Sequence, residues 1–169
     1  MRRFLIENAS VFQRLDRIEI KQLESAQKFE QIFDALSNSK LIPTQGIFYD
    51  GQVFDAYKLV SDIVRSAKQS IVLIDNYIDE TALTILSKKE TGVKVQLLTK
   101  TISKQLSLDV AKANSQYGNF ELKEFSKSHD RFLIIDEKEI YHLGASLKDL
   151  GKKWFAFAKM EVPILQLLE

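Results

Sequence analysis

The sequence predicts an α/β domain on a mixed, mostly parallel sheet with helices on both faces, preceded by a long N-terminal coiled-coil helix. Three observations carry that expectation. Residues 1–40 contain neither Gly nor Pro and repeat apolar side chains in alternating steps of four and three. From Gly46 onward, strand-like and helix-like segments alternate, as a parallel sheet requires. The last strand-like segments are joined closely enough to be antiparallel hairpins.

The seam of the first segment runs Phe4, Asn8, Val11, Leu15, Ile18, Gln22, Ser25, Phe29, Ile32, Leu36, and seven of these ten positions are apolar, as a heptad repeat demands. Charged residues such as Arg14, Asp16, Arg17, Glu19, Lys21 and Glu24 take the outer positions. Ser37-Asn38-Ser39 and Pro43 end the helix. At 1.5 Å per residue it would be about 50–55 Å long, too long to lie wholly on one small domain. Residues 1–40 therefore read as a dimerisation stalk, and the expected partner is a second copy of the chain. Asn8, Gln22 and Ser25 interrupt the seam, where polar residues fix register at a cost in stability.

The α/β domain is expected over residues 46–169. Ile47 to Phe54 reads as a hairpin of two short strands around Asp50-Gly51. Asp55 then reads as the N-cap of a helix with the stripe Ala56, Val60, Ile63 and Ala67, and with Phe54 stapled onto Leu59. Ser70 to Asp75 is a continuous apolar run, the pattern of a strand covered on both faces. Asp79 caps the next helix, which Gly92 ends, and Val93 to Thr99 is another strand. Ser103 starts a helix with the stripe Leu106, Val110, Ala113 and Tyr117, closed by Gly118. Phe120–Phe125, Arg131–Asp136 and Glu139–Leu143 are strands, and Lys152 to Glu169 reads as a helix with a joint at Pro163.

Composition excludes several function classes. A chain of 169 residues buries a sizeable core unaided, and it has no Cys, which removes disulfide scaffolds, Cys-ligated zinc and thiol catalysis. With two His, a His-rich metal site is not expected either, nor is any cofactor. Lys plus Arg is 24 and Asp plus Glu is 23, so the net charge is +1. DNA contact by this chain is not expected on that balance, and any basic patch must be local. No apolar run approaches the ~20 residues of a membrane span. The start, Met-Arg-Arg-Phe-Leu-Ile-Glu, turns acidic too soon for a secretory signal. A cytoplasmic protein without a membrane partner is the expectation.

Open α/β sheets bind ligands beyond the carboxyl ends of their parallel strands. Those ends are Asp75-Asn76, Thr99-Lys100 and Phe125 to His129. His129 and Arg131, two residues apart on a strand, would face one way at the mouth of the crevice. The segment Gly144 to Lys153 returns to the same crevice with small residues that allow close approach and lysines that hold an anion. The candidate ligand-binding residues are Asp75, Asn76, Ser128, Ser146, Lys148, Lys152 and Lys153. Trp154, Phe155 and Phe157 read as packing residues, His142 as an ordinary strand histidine, and Asp136 as the closer of a hairpin.

His129-Asp130-Arg131-Phe132-Leu133-Ile134-Ile135-Asp136 resembles the His-x-Lys-x4-Asp signature of the phospholipase D superfamily, with Arg131 where that family has Lys. Gly144-Ala145-Ser146 loosely resembles its downstream Gly-Ser/Thr turn, without the Asn. The resemblance implies His129 as a nucleophile, Arg131 as a phosphate clamp and Asp136 in a structural role, in a metal-independent reaction completed by a second motif. That second motif would come from a second copy of the chain. A wider resemblance covers nearly the whole sequence. The heptad helix, Gly-Ile-Phe-Tyr-Asp-Gly-Gln-Val-Phe-Asp-Ala-Tyr, Ser-Ile-Val-Leu-Ile-Asp-Asn-Tyr and Leu-Gly-Ala-Ser-Leu-Lys-Asp-Leu-Gly-Lys-Lys-Trp-Phe-Ala-Phe look like the C-terminal half of bacterial and phage antirepressor-like proteins. Those proteins carry a KilA-N-like DNA-binding domain at the N-terminus. Together these features imply a non-catalytic phospholipase D-like module that dimerises and binds a phosphate-containing ligand or a protein. The alternative is a metal-independent phosphodiesterase or nuclease acting through a phosphohistidine at His129.

Overall fold

The computed structural model describes residues 14–25, 27–28 and 42–161. The chain divides into two units, Met1–Leu41 and Ile42–Glu169. In the first, residues 14–25 form a helix, α1, and residues 27–28 are also helical, within the segment whose heptad spacing predicts one. The seam residues Leu15 and Ile18 are each 53% exposed. The seam positions Phe4, Asn8, Val11, Phe29, Ile32 and Leu36 lie outside the described residues.

The second unit is a seven-stranded sheet flanked by helices. In chain order it contains β1 (Gln45–Phe48), α2 (Val53–Ser66), β2 (Ser70–Ile74), α3 (Glu80–Leu86), β3 (Lys94–Thr99), α4 (Lys104–Tyr117), β4 (Phe120–Glu124), β5 (Arg131–Ile135), β6 (Glu139–Leu143), a 3-10 turn (Leu147–Asp149) and β7 (Phe155–Met160). The strand order is β1-β7-β6-β5-β2-β3-β4. The mixed α/β class expected from the sequence is the one observed, but parallel pairing is confined to the block β2–β3–β4, two of the six strand pairings, and among the described residues α2, α3 and α4 all pack on one face. From β4 at the edge, the chain returns to insert β5 antiparallel beside β2, with Leu73 opposite Leu133. Hairpin β5–β6 and strands β7 and β1 complete the antiparallel half.

Alternation along the strands separates two clusters. Ile71, Leu73, Val95, Leu97, Leu133, Ile135, Tyr141 and Leu143 face one way, and α2, α3 and α4 bury their stripes against them through residues such as Val60, Ile63, Ile85, Leu106 and Val110. Val72, Ile74, Leu98, Ile134 and Ile140 form the second cluster, with Phe125 and Phe132 packed on it. Each fully buried aliphatic side chain here contributes about 1.5–3 kcal/mol.

Helix ends follow local chemistry. Asp79 caps α3 by accepting from the N–H groups of Thr81 and Ala82, and the Ser103 hydroxyl oxygen caps α4 by accepting from Leu106 N–H. Gly118 ends α4 at φ +67°. Gly92, expected to end α3, lies six residues beyond it in the turn that enters β3. Tyr117, expected on the buried stripe of α4, is exposed.

Two expected elements are corrected. Ile47 to Phe54 is not a hairpin: β1 pairs with β7, and Val53 and Phe54 already belong to α2. The reason is the Asp50-Gly51 turn, which Gly51 N–H anchors to the carbonyl of Gly151 at 3.0 Å, while Gln52 takes the N-cap position. Asp55 is thus inside the first turn, where its charge favours the helix dipole, and Phe54, at 74% exposed, is no staple. The second correction is the segment from Lys152, which forms β7 rather than a helix. Phe155 and Phe157 alternate with Ala156 and Ala158, a period of two that buries both rings, and Phe48 stacks on them at 5.2 and 5.8 Å. The joint expected at Pro163 lies outside the described residues.

Asp136 occupies the opposite end of β5 from Arg131. Asp136 and Glu137 both have positive φ in the tight β5–β6 turn, and the Asp136 carboxylate accepts from the N–H groups of Lys68, Gln69 and Ser70. It clasps the β5–β6 turn to the chain that connects α2 with β2. Partial burial pushes this carboxyl up, but the N–H donors of Ser70, Lys68 and Gln69 and the nearby Lys138 outweigh it and hold the group below the usual aspartate range. A depressed carboxylate stabilises the fold fully above the unfolded value, about pH 3.9, and the contribution is lost as pH falls through the folded value. Asp136→Ala is therefore expected to cost about 2 kcal/mol near neutrality. In denaturant titrations from pH 7 to pH 2.5, its gap to the natural chain should narrow only on the acid side; a pH-independent gap would contradict this.

Candidate functional site

The carboxyl ends of β2, β3 and β6 and the amino ends of β5 and β7 meet at one edge of the sheet, because β5 and β7 run opposite to their neighbours. A cavity of about 520 Å³ opens there, lined by Arg131, Ala145, Lys148, Lys152, Lys153 and Trp154, together with Tyr77, Gly144, Ser146 and Asp149.

Asp75 holds two of the lining residues, Ser146 and Tyr77, from behind. This residue, at 0% exposed, follows the last residue of β2. Its carboxylate accepts from Ser146 Oγ at 2.7 Å, Leu147 N at 3.2 Å and Tyr77 N at 2.9 Å. A buried carboxylate needs such donors, and here they pin the segment after β6 to the end of β2. On its other side the segment runs close to β7 at Gly144, where a Cβ would meet the Ala156 carbonyl oxygen at 2.9 Å. Asn76 does the same work for the neighbouring loops. It accepts from Lys100 N–H at 2.9 Å, donates to the Ser128 carbonyl at 3.1 Å, and the Ser128 hydroxyl donates to the Asp130 carbonyl at 2.8 Å. Asp75, Asn76, Ser128 and Ser146, read from the sequence as ligand contacts, are thus joined to one another and to backbone.

The cations stand on this frame. Arg131 and Lys148 approach the Tyr77 ring at 5.7 and 5.2 Å, a cation–π contact for each. Lys152 pairs with Asp149 at 3.1 Å. Arg131, Lys148 and Lys153 form no ion pair among the described residues. Sequence reasoning found all four cations but passed over two aromatic residues. Tyr77 follows the carboxyl end of β2, where its position was the available signal. Trp154, read as packing, is 70% exposed at the cavity rim, with Tyr49 against it in a T-shaped contact at 4.8 Å.

His129 is placed differently from the two-residue strand spacing. β5 begins at Arg131, so His129 is in the bend before it, exposed, and is not among the residues lining the cavity. Asp130 turns towards His142, with 3.8 Å between its Oδ1 and Nε2, and His142 packs on Phe132. Among the described residues, no group of three or more His, Asp or Glu side chains could hold a metal ion, and no helix is long and apolar enough to cross a membrane.

Comparison with solved structures identifies the architecture. NucT from Helicobacter pylori superposes with a TM-score of 0.52 at 16% sequence identity, over 73% of this chain and 89% of that one. The fold is phospholipase D-like. Two looser matches are TrmBL2, an archaeal chromatin protein with a novel mode of DNA binding, and polyphosphate kinase from Porphyromonas gingivalis. Both have a TM-score of 0.47 at 14% identity; they cover 96% and 84% of this chain, which spans 64% and 23% of theirs. No family model matches the chain, and no curated protein matches its sequence. The cavity lies beyond the strand ends, the region where open α/β sheets in general bind ligands.

Proposed function

We propose that the domain is a non-catalytic phospholipase D-like module that binds a phosphate-containing anion in this cavity and dimerises through its N-terminal helix. The carrying observation is the convergence of Arg131, Lys148, Lys152 and Lys153 on one cavity that holds a single carboxylate, Asp149. On a chain of net charge +1, that local excess is a focused positive field. The Arg131 guanidinium suits bidentate contact with phosphate oxygens. Exposure of Leu15 and Ile18 on α1 supports pairing with a second copy. The resemblance to antirepressor-like proteins supports a role as the C-terminal part of a phage-type DNA-binding regulator.

Calorimetric titration with inorganic pyrophosphate tests the anion site. Binding that weakens with salt is expected, and the pair Arg131→Gln with Lys148→Gln should weaken it at least about tenfold. Equal affinity in the double variant would reject the reading. Light scattering of the full chain should return a dimer.

The exposed His129, two residues before Arg131, favours a second reading as a metal-independent phosphodiesterase. Incubation with bis-(p-nitrophenyl) phosphate and with DNA in EDTA decides between the two. Turnover above that of His129→Ala would replace the non-catalytic reading; none is expected.

A further inference from the structure

We propose that the ligand of this cavity is a nucleotide, its phosphate held by Arg131 and Lys148 and its base stacked on Trp154. The inference rests on the anion-binding reading and adds a site for the base. Trp is among the most buried residue types on average, yet Trp154 is 70% exposed while lining the same cavity as the cations. It is not a loose side chain. Phe155, the next residue, is buried in the core as the first residue of β7, and Tyr49 braces the indole at 4.8 Å in a near-perpendicular contact. A perpendicular brace steadies the ring while most of its surface stays open to a planar partner.

The phosphate end has its own order. Tyr77 lies under both Arg131 and Lys148, so the two cations are presented over one ring. Lys152 is occupied by Asp149, whereas Lys153, beside Trp154 in the chain, forms no ion pair among the described residues. A cavity of about 520 Å³ lies in the range of small-molecule sites. Inorganic phosphate would leave the indole unused, and a sugar phosphate would set only C–H groups against it; a nucleotide puts a planar base on the indole and its phosphate on the cations. The net charge of +1 favours a free nucleotide over the backbone of a long nucleic acid.

Trp154 is the chain's one tryptophan, so its fluorescence reports this site alone. The full chain is titrated with AMP, ribose 5-phosphate and pyrophosphate, followed by calorimetry and by fluorescence. AMP should bind about tenfold or more tighter than ribose 5-phosphate and quench the indole, as base–aromatic stacking predicts. In Trp154→Leu the ratio of the two affinities should fall to within about twofold, and Trp154→Phe should keep most of it. AMP and ribose 5-phosphate binding equally to the natural chain would overturn the base site and leave the anion site standing. Binding of none of the three ligands would overturn both. A (dT)10 arm separates the sources: weaker binding per nucleotide than AMP upholds the free nucleotide, and tighter binding overturns that assignment in favour of single-stranded nucleic acid.

Discussion

Gly151→Ala should lower the stability of the domain by about 3 kcal/mol or more. Two costs add at this position. Gly151 has φ +70°, a region that costs an L-residue with a Cβ about 1–2 kcal/mol. A Cβ would also lie 2.5 Å from both the Gln52 carbonyl oxygen and Val53 Cα, which are backbone atoms at the start of α2. Neither can rotate away, so α2 must shift or the turn must open, and overpacking of this kind costs about 1–3 kcal/mol. The same movement breaks the Gly51–Gly151 hydrogen bond. Gly92→Ala is the matched control: φ is +89°, yet nothing lies within 4 Å of the added atom. Thermal unfolding should show a loss for Gly151→Ala of at least twice that for Gly92→Ala. Equal losses would mean that the approach of the Gly151 turn to α2 is not a tight one.

The second large effect is expected at Asp75. Asp75→Ala removes the acceptor of three donors, Ser146 Oγ, Leu147 N and Tyr77 N, two of them bound within the interior. Leaving such groups unsatisfied costs about 1–3 kcal/mol each, less what water recovers, so about 4 kcal/mol is expected in total. The consequence extends to binding, because the segment released from Asp75 carries Lys148 and its neighbour Asp149 towards Lys152. Asp75→Asn keeps one acceptor oxygen and should fall between the two. Chemical denaturation with pyrophosphate titration of the folded variants measures both effects. A loss in Asp75→Ala below about 1 kcal/mol would remove Asp75 from the foundation of the site.

Local signals in the sequence were read well where the physics is local. Asp79, Ser103 and Gly118 announce helix ends because a cap is made within three or four residues. Asp50-Gly51 announces a turn but not its partners: whether a hairpin or a helix follows depends on Gly151, a hundred residues away. The strand character of β7 was visible in Phe155-Ala156-Phe157-Ala158, yet a short alternating run bounded by lysines competes closely with a helix until Gly46 and Gly144 supply the neighbouring backbones. At the site, the clustering of Arg131, Lys148, Lys152 and Lys153 was legible because the strands' directions bring their ends together. The roles of Asp75 and Ser146 were not, since a polar residue at a strand end looks alike whether it meets a ligand or its own chain.

The insertion of β5 has a consequence for how the protein acquires its pocket. Strands β2, β3 and β4 with their connecting helices are contiguous in the chain, whereas β5 must find β2 across some sixty intervening residues, a pairing of high contact order. Tyr77 comes from the contiguous half; Arg131, Lys148 and Trp154 come from the half that follows β4 in the chain. In a chain arrested before that meeting, or one whose antiparallel half has peeled away, the residues lining this cavity do not come together. An anion bound as proposed above would favour only the fully assembled state and brace it against partial unfolding.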